Sequence, residues 1–323
     1  MYPLILRPLL QSTPWGGDRL AAYGRVVTAG AGGRSRELFH DADGSSPEIA
    51  NGPWAGRRLA ELVAENPEAL IGSRHKAGDP FPLSVSFLDT ASPTAIIVHP
   101  DERAAELQDA DAKTETLFIV EAEPGAQIWA GLRPDKLQHQ FVSRIGTDDL
   151  ISCLKAWPVQ AGDACFIPAG RVHCIGGGIL AVEISQNSAS DWRLHDWNRP
   201  GLDGDLRPLH LEEGLAATNF KDRGLAVIRA DVSPVARNKR QSLSFCRHFT
   251  VERIRLAEDF YSATIPKSFQ ILINLGDDMP LRYGGGELIL TRGTTVLLPA
   301  SLGPYSLHPL GQGEILRAAL ELA

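Results

Sequence analysis

The chain has 323 residues, 43% of them hydrophobic and 22% charged, with a formal net charge of −7 and a pI near 5.7. This is globular composition, long enough for one large domain or two smaller ones, and an acidic chain with no basic cluster is a poor binder of nucleic acid or membrane surfaces. No stretch approaches the roughly 18 continuous apolar residues of a membrane span.

The first 17 residues start apolar but lack the charged, apolar and small-residue regions of a secretion signal. The first helical pattern follows: Leu59, Leu62 and Val63 share one face until Pro67 interrupts it. Short runs rich in Val, Ile, Leu and Phe then predict strands at 84–89, 94–98, 116–122 and 126–132. Leu137, Phe141 and Ile145 recur at spacing four, and Asp148 is expected to cap a short helix carrying Leu150, Ile151 and Leu154. Strands at 163–168 and 179–185 and a third helix at 210–218 complete this half. The polar, proline-containing stretch 230–244 reads as a joint. Beyond it a second strand set is expected at 249–256, 269–276, 287–293, 295–300 and 314–322. Many short strands bounded by Gly and Pro point to sandwiches or barrels rather than βαβ units. The four cysteines, Cys153, Cys165, Cys174 and Cys246, form no CxxC pair, which predicts a reduced, cytoplasmic protein.

Two segments repeat weakly. Residues 162–175 and 293–307 each have Gly, five residues, Pro, a small turn and another strand. A histidine, His173, follows the turn in the first; Gly303, Pro304 and Tyr305 hold that place in the second. This suggests a duplicated barrel in which the first copy alone keeps a metal site.

The first copy fits G-x5-P-x-G-x2-H through Gly162, Pro168, Gly170 and His173, and resembles the second motif of the cupin superfamily. That motif usually continues to an Asn where this chain has Gly177. His99 ends one expected strand and Glu115 begins the next. Two histidines and a carboxylate suit Zn²⁺ or another divalent first-row metal, with positions open to water or substrate. Taken alone, a histidine at a strand end is more often a polar end group than a ligand, and a lone glutamate more often solvated surface.

Seven segments together give a more specific resemblance: 14–20, 50–62, 81–89, 98–102, 113–115, 167–199 and 297–307. They run in the order seen in type I phosphomannose isomerases (mannose-6-phosphate isomerases) of the short bacterial form. The resemblance implies a mainly β chain of two cupin (jelly-roll) domains with a helical insertion in the first. Residues 1–230 would form the metal-binding domain and 231–323 a degenerate one without a metal. It implies one metal per chain on His99, Glu115 and His173, and catalytic-cleft roles for Lys113, Glu183 and Arg193. The implied reaction interconverts mannose 6-phosphate and fructose 6-phosphate through an enediolate. Glu183 is the candidate base and Arg193 the stabiliser of developing charge. Lys113 would either bind phosphate or move a proton. The implied partner is a small sugar phosphate, and the chain a monomer or homodimer.

The sequence also departs from that family. Ile97 stands two before His99 where relatives carry a polar residue, Ala95 replaces a serine, and Ser86 stands where relatives carry lysine. Near the N-terminus, Gly33-Arg34-Ser35-Arg36-Glu37 replaces Gly-Glu-Ser-Trp-Glu. The missing cation and hydroxyl predict altered substrate handling, with Arg34 and Arg36 either compensating or lying exposed. Two alternatives therefore remain: an isomerase of a different sugar phosphate, or a non-catalytic sugar-binding bicupin.

Overall fold

The computed structural model describes residues 1–26, 32–76 and 78–321. Strands in the first part of the chain are β1 (Leu4–Ile5), β2 (Leu9–Ser12), β3 (Gly33–Leu38), β4 (Leu83–Thr90), β5 (Ile96–Val98), β6 (Glu115–Ala122) and β7 (Gln127–Leu132). They continue as β8 (Leu154–Pro158), β9 (Ala164–Ile167), β10 (His173–Ile175), β11 (Ile179–Gln186), β12 (Trp192–His195) and β13 (Val227–Ile228). The later set is β14 (Lys239–Phe245), β15 (Phe249–Leu256), β16 (Phe260–Ala263), β17 (Gln270–Asn274), β18 (Met279–Tyr283), β19 (Gly286–Leu290), β20 (Thr295–Leu298), β21 (Pro304–Leu307) and β22 (Gly313–Leu320). Each strand expected from the sequence is present, with ends shifted by a few residues.

Four sheets pair into two sandwiches. The first joins the seven-stranded sheet β13-β9-β6-β11-β4-β3-β2 to the five-stranded sheet β12-β5-β10-β7-β8. The second joins β1-β20-β17-β22-β15-β14 to β16-β21-β18-β19. The order leaves sequence neighbours apart, as in a jelly roll, where chain and sheet order differ because strands cross between sheets. Strand β1 pairs with β20, so the first strand of the chain lies in a sheet of the second sandwich. Strand β14 likewise occupies part of the stretch expected to be a polar joint: its exposed residues alternate with partly buried ones along a sheet edge.

Period-two alternation separates the cores. On β11, Ile179 and Ala181 point into the first sandwich, with Leu117 and Ile119 of β6 and Ile128 and Ala130 of β7. Leu180, Val182 and Ile184 point the other way, into a core that both sandwiches share. There Phe81 and Phe269 meet at a ring-centroid distance of 4.7 Å, although 188 positions separate them in the chain. Helix α1 (Leu59–Glu65) buries Leu59, Leu62 and Val63 in this same core, and α2 (Pro67–Leu70) starts at the proline that ends it. Each buried Leu or Phe contributes about 1.5–3 kcal/mol, so the core joins the two sandwiches strongly.

The remaining helices are α3 (Glu102–Leu107), α4 (Gln138–Val142) and α5 (Leu211–Ala217). They cover the outer face of the five-stranded sheet, where Ile96, Val98, Cys174 and Leu194 pack with Phe141 and Leu150. The helix expected to run on from Asp148 is a 3-10 helix, Asp148–Cys153, after which Leu154 opens β8. Asp148 does not cap it. Thr147 holds the N-cap position, and the Asp148 carboxylate accepts from His195 Nε2 at 2.7 Å.

Candidate metal centre and cleft

The same alternation aims the chemistry. On β5, Ile96 and Val98 face the helices, so Ala95, Ile97 and His99 face the opposite sheet. On β6, Leu117 and Ile119 face inward, and Glu115 shares their face at the strand's start. His173 opens β10 opposite Ile97, after the turn that Gly170 makes at φ +83°. A side chain at Gly170 would also press on Asn219, with Cβ 2.9 Å from that residue's Cβ, so both conformation and space demand glycine. At Gly177, an added Cβ would lie 2.8 Å from the Ala91 carbonyl oxygen. The backbone has closed over the place where the related motif carries Asn.

His99, Glu115 and His173 are buried together, and their ligand atoms all lie within 4.8 Å of one another. His99 Nε2 is 3.1 Å from Glu115 Oε2, and His173 Nε2 is 3.1 Å from Glu115 Oε1. Backbone carbonyls set the ring tautomers. His99 Nδ1 donates to Ser190 O at 3.0 Å and His173 Nδ1 to Arg171 O at 3.1 Å. A carbonyl only accepts, so each Nδ1 carries the proton and each Nε2 turns its lone pair toward the carboxylate. Two lone pairs and a carboxylate aimed at one another repel unless a cation lies among them. In the metal-free protein that cation is a proton. Burial and the Lys113 charge oppose it on His99, but Glu115 and Asp191 outweigh them and push His99 up to about 9. The donor set of two imidazoles and one carboxylate, with rings held by second partners, fits a divalent metal equally well. Ile97 beside it contributes no ligand atom, so the remaining positions would be open.

Lys113 is 3% exposed and surrounded by carboxylates: Asp191 at 3.0 Å, Glu183 at 3.3 Å and Glu115 at 3.4 Å. Desolvation alone would lower its pKa, yet Asp191, Glu183 and Glu115 raise it, so it stays charged. Against the cost of burial, Lys113 and His99 hold Asp191 well below the usual carboxylate range. Glu183 projects from β11 between Leu117 and Ser86 on its flanking strands and accepts from Ser185 Oγ at 3.3 Å. Arg193 sits on β12, in register with Ile97. It pairs with neither Asp191 nor Asp196, the two carboxylates nearest in sequence. Its Nη1 donates to Pro208 O at 2.6 Å, its Nε is buried with no partner among the described residues, and burial followed by the Arg207 charge lowers its pKa.

All six residues expected from the sequence thus meet at one cleft of about 560 Å³, lined by Lys113, Glu115, His173, Glu183 and Arg193, with His99 just beneath. Trp15, Leu88, Ala95, Ile97 and Ile175 supply its apolar wall. Sequence reasoning missed Asp191 as the third carboxylate on Lys113, and Arg207, which binds Asp196 and reaches the cleft from a loop. No spacing rule could have found Arg207, because the loop's path sets its position. For Asp191, its place between His99's carbonyl partner Ser190 and Trp192 of β12 is visible only in the fold.

No protein-family model matches the chain. Among curated proteins, GmuF of Bacillus subtilis, named a probable mannose-6-phosphate isomerase, is 31% identical over 217 residues, 66% of this chain and 67% of its own. The mannose-6-phosphate isomerase ManA of the same organism is 29% identical over 315 residues, 95% of this chain and 96% of its own. The crystal structure of the mannose 6-phosphate isomerase from Bacillus subtilis superimposes with a TM-score of 0.87 at 25% identity, covering 99% of each chain. A zinc-bound mannose 6-phosphate isomerase shares the fold at a TM-score of 0.79 and 17% identity over 100% of each chain.

Proposed function

We propose, for a chain that belongs to the mannose-6-phosphate isomerase family, that it interconverts mannose 6-phosphate and fructose 6-phosphate with one Zn²⁺ held by His99, Glu115 and His173. One observation carries this reading. The converging His99–Glu115–His173 triad and the Lys113–Glu183 pair, 3.3 Å apart, open on the same cleft.

Bound at the triad, the metal supplies Lewis-acid polarisation of substrate oxygens without taking up a proton. The chain's own groups do the rest. Glu183 takes the proton from the carbon beside the carbonyl and returns it to the former carbonyl carbon, while that first carbon's hydroxyl proton passes to the former carbonyl oxygen. Lys113 keeps Glu183 oriented, its ammonium 3.3 Å from Glu183 Oε1 and shared with Glu115 and Asp191. Arg193 keeps N–H groups for oxygen atoms that gain negative charge during the transfer. The apolar wall of Trp15, Leu88, Ile97 and Ile175 excludes water, which strengthens each of these interactions.

A second reading keeps the chemistry and changes the sugar. It rests on Ala95 and Ile97, which put two apolar side chains on the wall beside the triad. Supporting a reducing compartment such as the cytoplasm are four cysteines without a disulfide. Among the described residues no helix is long and apolar enough to cross a membrane.

The test is a coupled isomerase assay on metal-titrated protein across hexose and pentose phosphates. Glu183→Gln should retain its metal and lose roughly 10²–10⁴ in kcat. Full metal occupancy with no turnover on any sugar phosphate would leave only a binding protein.

A further inference from the structure

Glu183 has two carboxylate oxygens, and their surroundings differ. Lys113 Nζ approaches Oε1 at 3.3 Å, Ser185 Oγ donates to Oε1 at 3.3 Å, and Arg34 Nη2 stands 3.7 Å from the same atom. No hydrogen bond reaches Oε2 among the described residues, and that oxygen is not sealed from solvent, so it opens on the cleft.

Sheet register produces the asymmetry. Glu183 and Ser185 lie two residues apart on β11 and so share a face, which fixes the hydroxyl beside the carboxylate. Arg34 arrives from two strands away. Strand β4 lies between β3 and β11, with Ser86 opposite Glu183 on one side and Leu88 opposite Arg34 on the other. The Arg34 side chain leans over Ser86, whose Oγ accepts from Nε at 3.2 Å, and this small buried serine leaves room for the guanidinium to cross the strand. Arg36, directly opposite Ser86, is spent elsewhere: it is bidentate to Asp41 at 2.9 and 2.5 Å and stacked on Phe39. Glu183 is the only carboxylate within ion-pair distance of Arg34 among the described residues, whereas Lys113 divides its ammonium among three.

We propose that Arg34 is a positioning residue: with Lys113 and Ser185 it clamps Oε1 of Glu183, so that Oε2 is the oxygen that carries the proton. The proposal rests on the reading of Glu183 as the base. The lone pairs of Oε1 face three donors, and a proton arriving there would meet two cations; Oε2 has neither obstacle. Oε2 takes the proton from the carbon beside the carbonyl as that C–H bond breaks and its electron pair passes into the enediolate. The same O–H then delivers the proton to the former carbonyl carbon. Arg34 touches no reacting atom; it holds the carboxylate plane in the orientation this transfer needs.

The experiment is steady-state kinetics of metal-loaded Arg34→Met with mannose 6-phosphate and with its carbon-2-deuterated form, joined to a double-mutant cycle with Glu183→Gln. In Arg34→Met, kcat should fall roughly 10- to 100-fold, the effect of misplacing a reacting group by about 1 Å. KM should stay within about 3-fold, and metal content should not change. The deuterium effect on kcat should rise, because the variant slows proton transfer and not binding or release. Arg34→Lys should recover part of kcat. With Glu183→Gln already present, Arg34→Met should cost no more than about 3-fold further, since no base is left to orient. Full additivity, or wild-type kcat with an unchanged isotope effect in Arg34→Met, would overturn the proposal and leave the isomerase reading intact. A wild-type protein that turns over no sugar phosphate would overturn the isomerase reading and the base assignment together. Coupling of about 3-fold or more between Arg34 and Glu183 in urea unfolding of the same variants would then keep only their pairing.

Discussion

Replacing Lys113 by methionine removes the cation among three carboxylates while nearly preserving volume. Glu115 and Glu183 are 3% and 8% exposed at the side chain, and Asp191 is 36% exposed. The first two carry most of the effect, because a partly solvated carboxylate is screened by water. A charge-assisted hydrogen bond contributes about 1.5–3 kcal/mol. Removing one partner of a buried ion pair costs about 3–5 kcal/mol, since the other charge is left uncompensated. Lys113→Met should therefore lose about 3–5 kcal/mol in urea unfolding of metal-saturated protein. The cause is separable by a double-mutant cycle with Glu183→Gln. With the carboxylate neutral, loss of the lysine should cost less by about 1.5–3 kcal/mol. A loss below about 1 kcal/mol, or a cycle with no coupling, would refute the claim that Lys113 is the counter-ion of this cleft.

The metal triad, the titration of His99 and the shared core each carry an expectation. Metal analysis of His173→Ala should find affinity lowered by at least about 100-fold, more than the loss of an outer partner alone; wild-type stoichiometry would exclude His173 as a ligand. His99, raised from 6.5 to about 9 in the metal-free protein, contributes stability that is full below pH 6.5 and lost as pH rises through 9. Chelated protein should accordingly melt at lower temperature above that window than below it, while metal affinity rises over the same window as the proton leaves. A flat melting profile across those pH values would contradict the His99–Glu115 arrangement. Phe269→Ala should cost about 3–5 kcal/mol and destabilise both sandwiches together; calorimetry resolving two independent transitions, one unaltered, would show that the core is not shared.

Much of this was legible in one dimension. The strand set needed only period-two apolar runs between Gly and Pro, because a half-buried strand must alternate. The turn before His173 was legible from the spacing of Gly162, Pro168 and Gly170, and Gly170 takes the left-handed conformation that glycine adopts without strain. His99, Glu115, His173, Lys113, Glu183 and Arg193 came from the order of seven segments resembling one family, and the sheet registers bring them to one cleft. Local pattern failed where tertiary contacts dominate. Asp148 looked like a cap, but its carboxylate is held by His195, 47 residues away. The stretch 230–244 looked like a linker, but its second half pairs with β15.

The sequence by itself determined the two strand sets, the glycine-shaped turn and the residue types from which a metal site can be made, since these depend on side chains only a few positions apart. The tertiary structure alone decided that β1 joins the second sandwich, that Asp191 completes the surroundings of Lys113, and that Arg34 leans over Ser86 into the cleft. Those outcomes depend on strand register and on how the sheets face each other. Both are set by burying apolar area over the whole chain, so no local window contains them.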